Sequence, residues 1–419
     1  MTEPAMTGVG PRVGAGPAVA IVLAFAFAYF LSALLRAVTA TLAPVFSAEL
    51  GLQPADLGFL AGAYFLGFAA LQLPLGRALD RFGPRRVQLA LLSLAAVGCV
   101  AFSQASGLAS LSAARLLIGM GVAACLMAPL TCYRHIFNAS TQLRLNSWML
   151  MTGSLGMLAS TLPVQMMLPH WGWRGLFVGL AALLLVALSL IAWYAPRSSP
   201  ANTVQSVGRY RDIMRHPTFI ALAPLGFFSY GGLIAIQSLW AGPWLTQVSG
   251  RSAAQAAEGL FAINLSMLFA FMAWGGAMPH LAKAGLHARH MITWGLPASI
   301  LVLCLIVALG PAAGTWHWAL WCVLSTCVSL SQPAVGQAFP PAWAGRALSA
   351  FNLLIFGGVF CLQWGIGLVI DGLGTLGWTR VASFQGAMGL FALCCTVAQL
   401  WFLWRQRRMV IMPAEPAHR

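Results

Sequence analysis

Twelve long apolar stretches occupy most of the 419-residue sequence, and the few charged residues lie mostly between them. A helix needs roughly 20 apolar residues to cross about 30 Å of hydrocarbon. The apolar runs are continuous rather than alternating, so they predict helices and not the strands of a closed barrel. Only 7% of the residues are charged, whereas a soluble domain usually carries about 25%. The sequence therefore predicts an all-α, multi-pass integral membrane protein.

The predicted membrane helices are numbered 1 to 12 along the chain. They cover 18–43, 55–77, 86–105, 108–132, 143–168, 174–195, 218–246, 253–277, 289–310, 315–338, 347–371 and 379–404. The widest gap, 196–217, is polar, and we interpret it as a linker between two pseudo-symmetric six-helix bundles, 18–195 and 218–404. The segments 1–17 and 405–419 are predicted to be terminal tails.

Positive charges predict which side of the membrane each loop faces, because cytoplasmic loops collect Lys and Arg. Basic residues cluster after every even-numbered helix, whereas the opposite loops hold only Arg174, Arg251 and Arg380. Both termini and the linker are thus predicted to be cytoplasmic, in a bacterial inner membrane. The formal net charge of +15 is mainly this topological signal. Because no basic run lies on a soluble domain, nucleic acid is not an expected partner.

Cofactors, metals and catalysis are not expected. The nine cysteines lie in or next to predicted helices without metal-ligand spacing to His, and we interpret them as packing residues. A membrane enzyme would need clustered carboxylates, a metal site or a nucleophile–base pair. The chain has only eight acidic residues, and its histidines lie in loops, at helix ends or in the tail. No nucleotide-binding Gly-x-x-x-x-Gly-Lys-[Ser/Thr] motif occurs.

The loop after helix 2 carries an ordered motif. It reads Gly76-Arg77-Ala78-Leu79-Asp80-Arg81-Phe82-Gly83-Pro84-Arg85-Arg86. Glycines let two helix ends approach closely, an acidic group can face a helix N-terminus, and basic residues anchor a loop at the headgroups. Positive-inside topology alone would accept basic residues in any order. The ordered Gly-x-x-x-Asp-Arg-x-Gly-x-Arg-Arg pattern is therefore more specific than topology.

This motif resembles the signature loop of the major facilitator superfamily, and the span count and central linker extend the resemblance over the whole chain. Helix 4 contains Arg115-Leu116-Leu117-Ile118-Gly119-Met120-Gly121, which is similar to the Arg-x-x-x-Gly-x-Gly pattern of many proton-coupled members. The resemblance implies a secondary active transporter whose two bundles rock about a site near the membrane midplane. It also implies a gating role for Gly76, Asp80, Arg81, Gly83, Arg85 and Arg86.

A degenerate echo of this loop lies between helices 8 and 9. Aligning Pro44 with Pro243 brings Gly83 close to Gly285, which is the weak internal repeat expected of two related halves. The echo lacks the acidic residue. If the loops act as latches, the second latch is expected to be the weaker one.

Arg36 is an ionisable residue within helix 1, eight residues before Pro44. A charge inside a span costs at least ~2.5–3.5 kcal/mol and usually faces a cavity or a partner. The region resembles helix 1 of organic-anion and organophosphate members, which hold a substrate-binding Arg there. Phosphate members have a second Arg in helix 7, where this chain has Ala235. A single Arg favours a monoanion such as a monocarboxylate; a structurally paired Arg remains the alternative.

Arg115 and Glu258 are two further ionisable residues within predicted helices. The resemblance suggests a role in proton coupling for Arg115, although at the start of helix 4 it can also reach the outer surface or pair across the bundle. Glu258, in the first turns of helix 8, is either a proton site or a solvated helix-start carboxylate.

Uncharged polar residues and a tryptophan mark possible walls of a substrate pocket. The candidates are Tyr64, Gln237, Trp240, Asn264, Asn352 and Gln363. A buried amide needs a hydrogen-bond partner, and a substrate can be one. Each of these residues can equally well join two helices.

The sequence favours proton-coupled symport of a small, monocarboxylate-like organic anion, with substrate, protons and lipid as partners of a monomer. Efflux of drugs or metabolites in exchange for protons is the alternative. Drug antiporters of the superfamily carry a Gly-Pro pair in helix 5, where this chain has Gly153, Gly156 and Pro163 without that pair. A non-transporting sensor is a third possibility, but such proteins usually add a soluble signalling domain, and none is predicted.

Overall fold

A computed structural model describes residues 15–196, 210–285 and 288–411, and the described residues contain helices and no strands. Twelve membrane helices, α1 to α12, follow the predicted order. They are α1 (Ala15–Leu50), α2 (Pro54–Ala70 with Gln72–Phe82), α3 (Pro84–Gln104), α4 (Leu108–Arg134), α5 (Ala139–Ala159 with 162–171), α6 (173–194), α7 (Pro217–Val248), α8 (Ala253–Lys283), α9 (Ala288–Ala312), α10 (Thr315–Gln337), α11 (Pro341–Thr375) and α12 (Arg380–Ile411). A short helix, Tyr210–Arg215, precedes α7.

The helix lengths agree with a twelve-span membrane protein. Ten helices in the described residues are individually long and apolar enough to cross a bilayer, and the two segments of α2, bent by 45°, make an eleventh span. Helix α5, whose first segment Ala139–Ala159 is less apolar than these spans, completes the twelve helices of the predicted order. Helix α5 meets α6 at Gly172, whose φ of 61° and ψ of 170° break the helix. The predicted all-α fold is confirmed.

Helix α1 is longer than the sequence predicts. We expect it to end near residue 43 because Pro44 lacks a backbone donor, yet the helix continues through Pro44 to Leu50. A proline is tolerated inside a membrane helix because neighbouring helices and nearby polar side chains satisfy the backbone groups that it leaves without a partner. Arg36 therefore lies 14 residues from the end of α1, roughly 21 Å along its axis, which places it near the middle of the span.

The two halves repeat the same backbone turns. Gly51 and Gly250 each follow a proline, Pro44 or Pro243, by seven residues, and their φ angles are 65° and 66°. The loop glycines of the predicted echo also match, with φ of 80° at Gly83 and 76° at Gly285. Only glycine adopts this left-handed region freely, so the repeat is visible in the backbone even where the side chains have diverged.

The halves pack most closely at one end of the bundle, where α1 meets α7 and α2 meets α11. We call it the Asp371 end, and the opposite end, which carries the loop motif, the Arg85 end. At the Asp371 end a Cβ on Gly58 would overlap the Gln363 carbonyl oxygen. At the Arg85 end, α4 packs mainly on α3 and α5, and α10 mainly on α9 and α11. The two halves thus contact each other closely at the Asp371 end, and they make fewer contacts with each other at the Arg85 end.

Candidate functional site

Arg36 lies between the two halves and is surrounded by aromatic rings. The side chains of Tyr29, Tyr64 and Tyr230 lie close to its guanidinium, and the guanidinium carbon is 5.8 Å from the centre of the Phe68 ring. Its Nε is buried without a hydrogen-bond partner. The side chain is only partly buried, so it combines a fixed positive charge with an unused donor at Nε.

Arg115 is a second cation close to the same place, and it is fully buried. Its Nη1 donates a hydrogen bond to the Leu35 carbonyl oxygen at 2.8 Å. Its guanidinium carbon lies 5.1 Å from the centre of the Tyr64 ring, while Nε and Nη2 have no partner. Burial rules out the interpretation in which Arg115 reaches the outer surface, because the side chain points into the bundle towards α1 and α2.

Neither arginine has a carboxylate partner among the described residues. The ion pairs there are Arg174 with Glu49 at 2.5 Å and Arg380 with Asp371 at 3.9 Å. Removing a charge from water costs several kcal/mol unless it gains an opposite charge or hydrogen bonds. The centre of the bundle is therefore electropositive and suited to an anion.

The glycines of the helix 4 motif explain how Arg115 comes so close to Tyr64. A Cβ on Gly119 would overlap the Tyr64 carbonyl oxygen, and a Cβ on Gly67 would overlap that of Leu116. Helices α2 and α4 thus touch backbone to backbone. The motif glycines thus allow close helix packing, which places Arg115 beside the ring of Tyr64.

The C-terminal half contributes a polar network opposite the arginines. The Tyr230 hydroxyl lies 3.5 Å from Gln332 Oε1, and Gln332 Nε2 donates to Asn352 Oδ1 at 2.5 Å. Tyr230 ends a π-helical turn of α7, Leu225–Tyr230, an irregularity that is frequent at functional sites. The network therefore joins α7, α10 and α11, and its Tyr230 lies near Arg36.

An aromatic contact joins the halves next to Arg36. The rings of Phe68 on α2 and Phe356 on α11 lie 4.6 Å apart. Phe65 also stacks on Phe356 at 6.2 Å. The arginine thus adjoins the point where α2 meets α11.

Four of the sequence candidates lie in this region: Arg36, Tyr64, Arg115 and Asn352. Tyr29, Tyr230 and Gln332 also belong to it and are not predicted from the sequence. One sequence signal was available. The chain has only six tyrosines, and three of them lie close to Arg36. Because tyrosine is scarce in this chain, tyrosines near the middle of predicted helices are a sequence signal for a polar site inside the bundle.

The remaining pocket candidates are engaged in joining helices. Gln237 Nε2 donates to Asn264 Oδ1 at 2.7 Å. Gln363 Nε2 donates to the Ser238 hydroxyl at 2.9 Å, and Trp240 Nε1 donates to the Gln363 carbonyl at 3.1 Å. These contacts tie α7 to α8 and to α11, which is the interhelical alternative anticipated from the sequence.

Glu258 is exposed in the first turns of α8. It lies at the Asp371 end, away from Arg36 and Arg115. The geometry favours the solvated helix-start alternative for this carboxylate.

The loop motif is anchored at one residue in this conformation. Arg85 donates to the Ala192 carbonyl oxygen and so ties α3 to α6. The side chains of Asp80, Arg81 and Arg86 are exposed, and a Cβ on Gly76 would meet open space. Across the described residues Asp80 forms no ion pair.

A hydrogen bond at the Asp371 end links the two halves in this conformation, and the gating role of the loop motif stays a prediction. Asp371 Oδ2, on α11, accepts a hydrogen bond from the Ala55 backbone N–H at 2.8 Å. Ala55 lies in the first turn of α2, where the helix dipole favours a negative charge. A Cβ on Gly367, one turn before Asp371, would overlap the Pro54 carbonyl oxygen. This carboxylate thus closes the Asp371 end.

Solved structures confirm the fold. A bacterial homologue of the human lysosomal transporter Spinster, in an inward-facing and unoccupied conformation, matches with a TM-score of 0.73 at 17% identity, over 97% of this chain and 100% of that one. A D-xylose–proton symporter matches with a TM-score of 0.72 at 16% identity, over 92% and 97% of the two chains.

Curated relatives match shorter segments. The 4-hydroxybenzoate transporter PcaK of Pseudomonas putida is 29% identical over 180 residues, 43% of this chain and 40% of that protein. An uncharacterized MFS-type transporter of Mycobacterium tuberculosis is 28% identical over 169 residues, 40% of this chain and 29% of that protein. The matches thus span less than half of these relatives.

The family model described as Major Facilitator Superfamily matches residues 25–362. Together with the helical fold, this match means that the chain belongs to the major facilitator superfamily of secondary transporters.

Proposed function

We propose that this transporter is a proton-coupled symporter of a small organic monoanion, with an aromatic monocarboxylate as the best-fitting substrate class. The observation that carries the proposal is the pair of arginines at the centre of the bundle with no carboxylate partner among the described residues. A planar guanidinium binds a carboxylate through two parallel hydrogen bonds. Arg36 is the more accessible of the two cations, so we assign it the substrate carboxylate.

The rings around Arg36 support a substrate with a flat apolar body. A carboxylate on Arg36 would place the rest of the molecule beside Phe68 and Phe356, whose rings lie 4.6 Å apart across the two halves. Aromatic rings prefer offset or edge-on contacts at about 4.5–7 Å. The similarity to a 4-hydroxybenzoate transporter, although it covers only part of either chain, points in the same direction.

Binding at this place also suggests how substrate affects the gates. Phe68 and Phe356 belong to α2 and α11, the pair that Asp371 closes further along. A substrate that competes for these ring surfaces loosens the α2–α11 contact. Each half can then rotate about the site, as alternating access requires.

Proton coupling is assigned to the buried Arg115, whose motif resembles that of proton-coupled members. With no counter-ion among the described residues, its charge is sensitive to any anion bound at Arg36. By the positive-inside rule we assign the Arg85 end to the cytoplasm. Both termini then lie on the cytoplasmic side of a bacterial inner membrane, and we take the transporter to be a monomer.

The test is uptake by proteoliposomes that contain the purified protein. Counterflow of benzoate and 4-hydroxybenzoate is compared with that of an aliphatic monocarboxylate, a phosphate ester and a cationic drug. We expect the aromatic carboxylates to exchange fastest. Arg36→Gln should weaken their binding at least about 30-fold, because breaking a buried charged contact costs about 2 kcal/mol or more. Unchanged anion exchange in Arg36→Gln contradicts the proposed site.

The direction of coupling is read from an imposed pH gradient. With the outside acidic, a symporter accumulates the anion in the lumen, whereas a proton antiporter expels its substrate into the acidic compartment. Accumulation of a cationic drug on the acidic side, without transport of any anion, identifies the efflux alternative.

A further inference from the structure

The last turns of α12 carry a compact cluster of aromatic and basic side chains. It consists of Trp401, Trp404, Arg405 and Arg408, which we call the α12 patch. The two indole rings lie 5.3 Å apart. Arg408 lies 4.1 Å from the centre of the Trp404 ring, and Arg405 lies 5.7 Å from Trp401 and 5.9 Å from Trp404. Both guanidinium groups are therefore held against indole faces.

The patch is held in place by contacts to two other helices. Trp401 Nε1 donates to the Ile220 carbonyl oxygen on α7 at 3.0 Å. On the other side, the Thr293 hydroxyl of α9 donates to Gln406 Oε1 at 3.2 Å. The end of α12 is thus fixed against α7 and α9 rather than projecting alone, and its aromatic and basic groups form a preorganised surface.

The patch is exposed and positive. Trp401 and Trp404 are 38% and 42% exposed, and Arg408 is exposed as well. Within the described ranges the ion pairs lie elsewhere, at Glu49 and Asp371, so neither Arg405 nor Arg408 is neutralised by one. A guanidinium that lies against an indole keeps its N–H donors free for an anion in its own plane.

Its depth fits the bilayer interface. The patch lies at the Arg85 end of α12, where an apolar span gives way to charged residues. Tryptophan prefers the level of the headgroups, where an anionic leaflet attracts basic residues. From these observations, we propose that the α12 patch is a binding site for the headgroup of an anionic phospholipid, with the phosphate held by Arg405 and Arg408 and the indoles set among the glycerol and upper acyl carbons.

Thermal unfolding of the full-length protein in detergent, titrated with phosphatidylglycerol, tests the site. Phosphatidylcholine of the same acyl chains and inorganic phosphate serve as parallel titrants. We expect phosphatidylglycerol to stabilise the protein at the lowest concentration. Arg405→Gln/Arg408→Gln should raise the half-saturating concentration roughly tenfold or more, given the contribution of each basic residue near a lipid surface.

Arg134→Gln/Arg144→Gln is the matched control. It removes two exposed arginines at the same end but from the other half, and it should keep the wild-type midpoint. If both double variants raise the half-saturating phosphatidylglycerol concentration equally, the effect comes from surface charge alone. If the α12 double variant does not raise it, the patch is not a binding site. Either result overturns the proposal. Stabilisation by inorganic phosphate as strong as by phosphatidylglycerol also overturns it, since the ligand is then not a lipid.

Trp404→Leu provides a second route if the double variant does not fold. It retains both arginines and removes the ring on which Arg408 lies. A several-fold weaker response to phosphatidylglycerol is expected, with the lipid-free unfolding temperature as the reference. An unchanged response contradicts the assigned geometry.

Discussion

At the scale of single residues, charges inside apolar helices were the most informative sequence feature. The sequence identifies both Arg36 and Arg115 as candidates, because a charge inside the hydrocarbon is costly and usually faces a cavity or a partner. Their environment was not predictable. Arg115 is fully buried against Leu35 and Tyr64, a placement that depends on how α4 packs on α1 and α2.

Arg115→Gln is predicted to impair proton coupling while leaving substrate binding intact. Counterflow needs no net proton movement, so it should persist because Arg36 is still present. Accumulation driven by a pH gradient should fall at least about tenfold, since the buried charge that responds to the bound anion is gone. Both assays use the same proteoliposomes, and Gln363→Leu, which removes a contact within the C-terminal half, controls for general damage. Full accumulation by Arg115→Gln would mean that the residue is structural.

Glu258→Gln is predicted to leave accumulation unchanged. The carboxylate is exposed at the start of α8, where water already solvates it and its removal changes no buried contact. The measurement is the accumulation ratio under an acid-outside gradient, compared with wild-type at equal protein density. A lost gradient response would return Glu258 to the list of proton sites.

At the scale of elements, motif glycines act through close packing. A Cβ on Gly119 has no room beside α2, whereas one on Gly76 meets open space. Gly119→Ala should therefore destabilise the fold by about 1–3 kcal/mol, the usual cost of overpacking. Gly76→Ala, in an exposed helical turn, should be neutral or slightly stabilising. Unfolding temperatures in one detergent check the pair, and equal values would refute the packing role of Gly119.

At the same scale, we propose the Asp371 contact, which joins α11 to the start of α2, as a gate. Asp371→Ala removes the acceptor for Ala55 N–H and the charge at the α2 N-terminus, together about 1–2 kcal/mol. The equilibrium should shift about five- to thirtyfold towards opening of the Asp371 end. Labelling of Ala40→Cys, buried at this end beside Gly242, by an impermeant maleimide should accelerate accordingly. Asp371→Asn retains an acceptor and should shift the opening equilibrium less than Asp371→Ala does. Equal labelling rates in the unmodified protein and in both Asp371 variants would contradict the proposed gate.

At the scale of the whole molecule, the proposed alternating access requires the halves to separate at the Asp371 end. The rings of Phe59 on α2 and Trp364 on α11 lie 5.3 Å apart across the halves. With the exposed native Cys361 of α11 first replaced by Ser, a Phe59→Cys/Trp364→Cys pair joined by a short cleavable crosslinker should abolish uptake, and cleavage should restore it. Each single cysteine variant, treated with the same reagent, should retain its activity. Full uptake while crosslinked would exclude rocking about this contact.

The internal repeat was partly predictable. Pro44 and Pro243 were aligned from sequence, and the matching left-handed glycines at Gly83 and Gly285 agree with that alignment. The divergence of the two halves was harder to anticipate. Where the N-terminal half places Arg36 beside Tyr64, the C-terminal half pairs Gln237 with Asn264, so one half holds an unpaired cation and the other a satisfied amide pair.

The sequence by itself determined the solvent, the helical class, the approximate spans, the family resemblance and the presence of charges that lipid disfavours. These follow from composition and short-range order, since the hydrophobic effect and backbone hydrogen bonding act on each segment separately. Tertiary structure alone decided which polar groups meet. Tyr230 bonds to Gln332, Gln363 joins two helices, and Asp371 links α11 to the start of α2. These contacts connect residues far apart in the chain and depend on helix rotation and depth, which hydropathy does not encode.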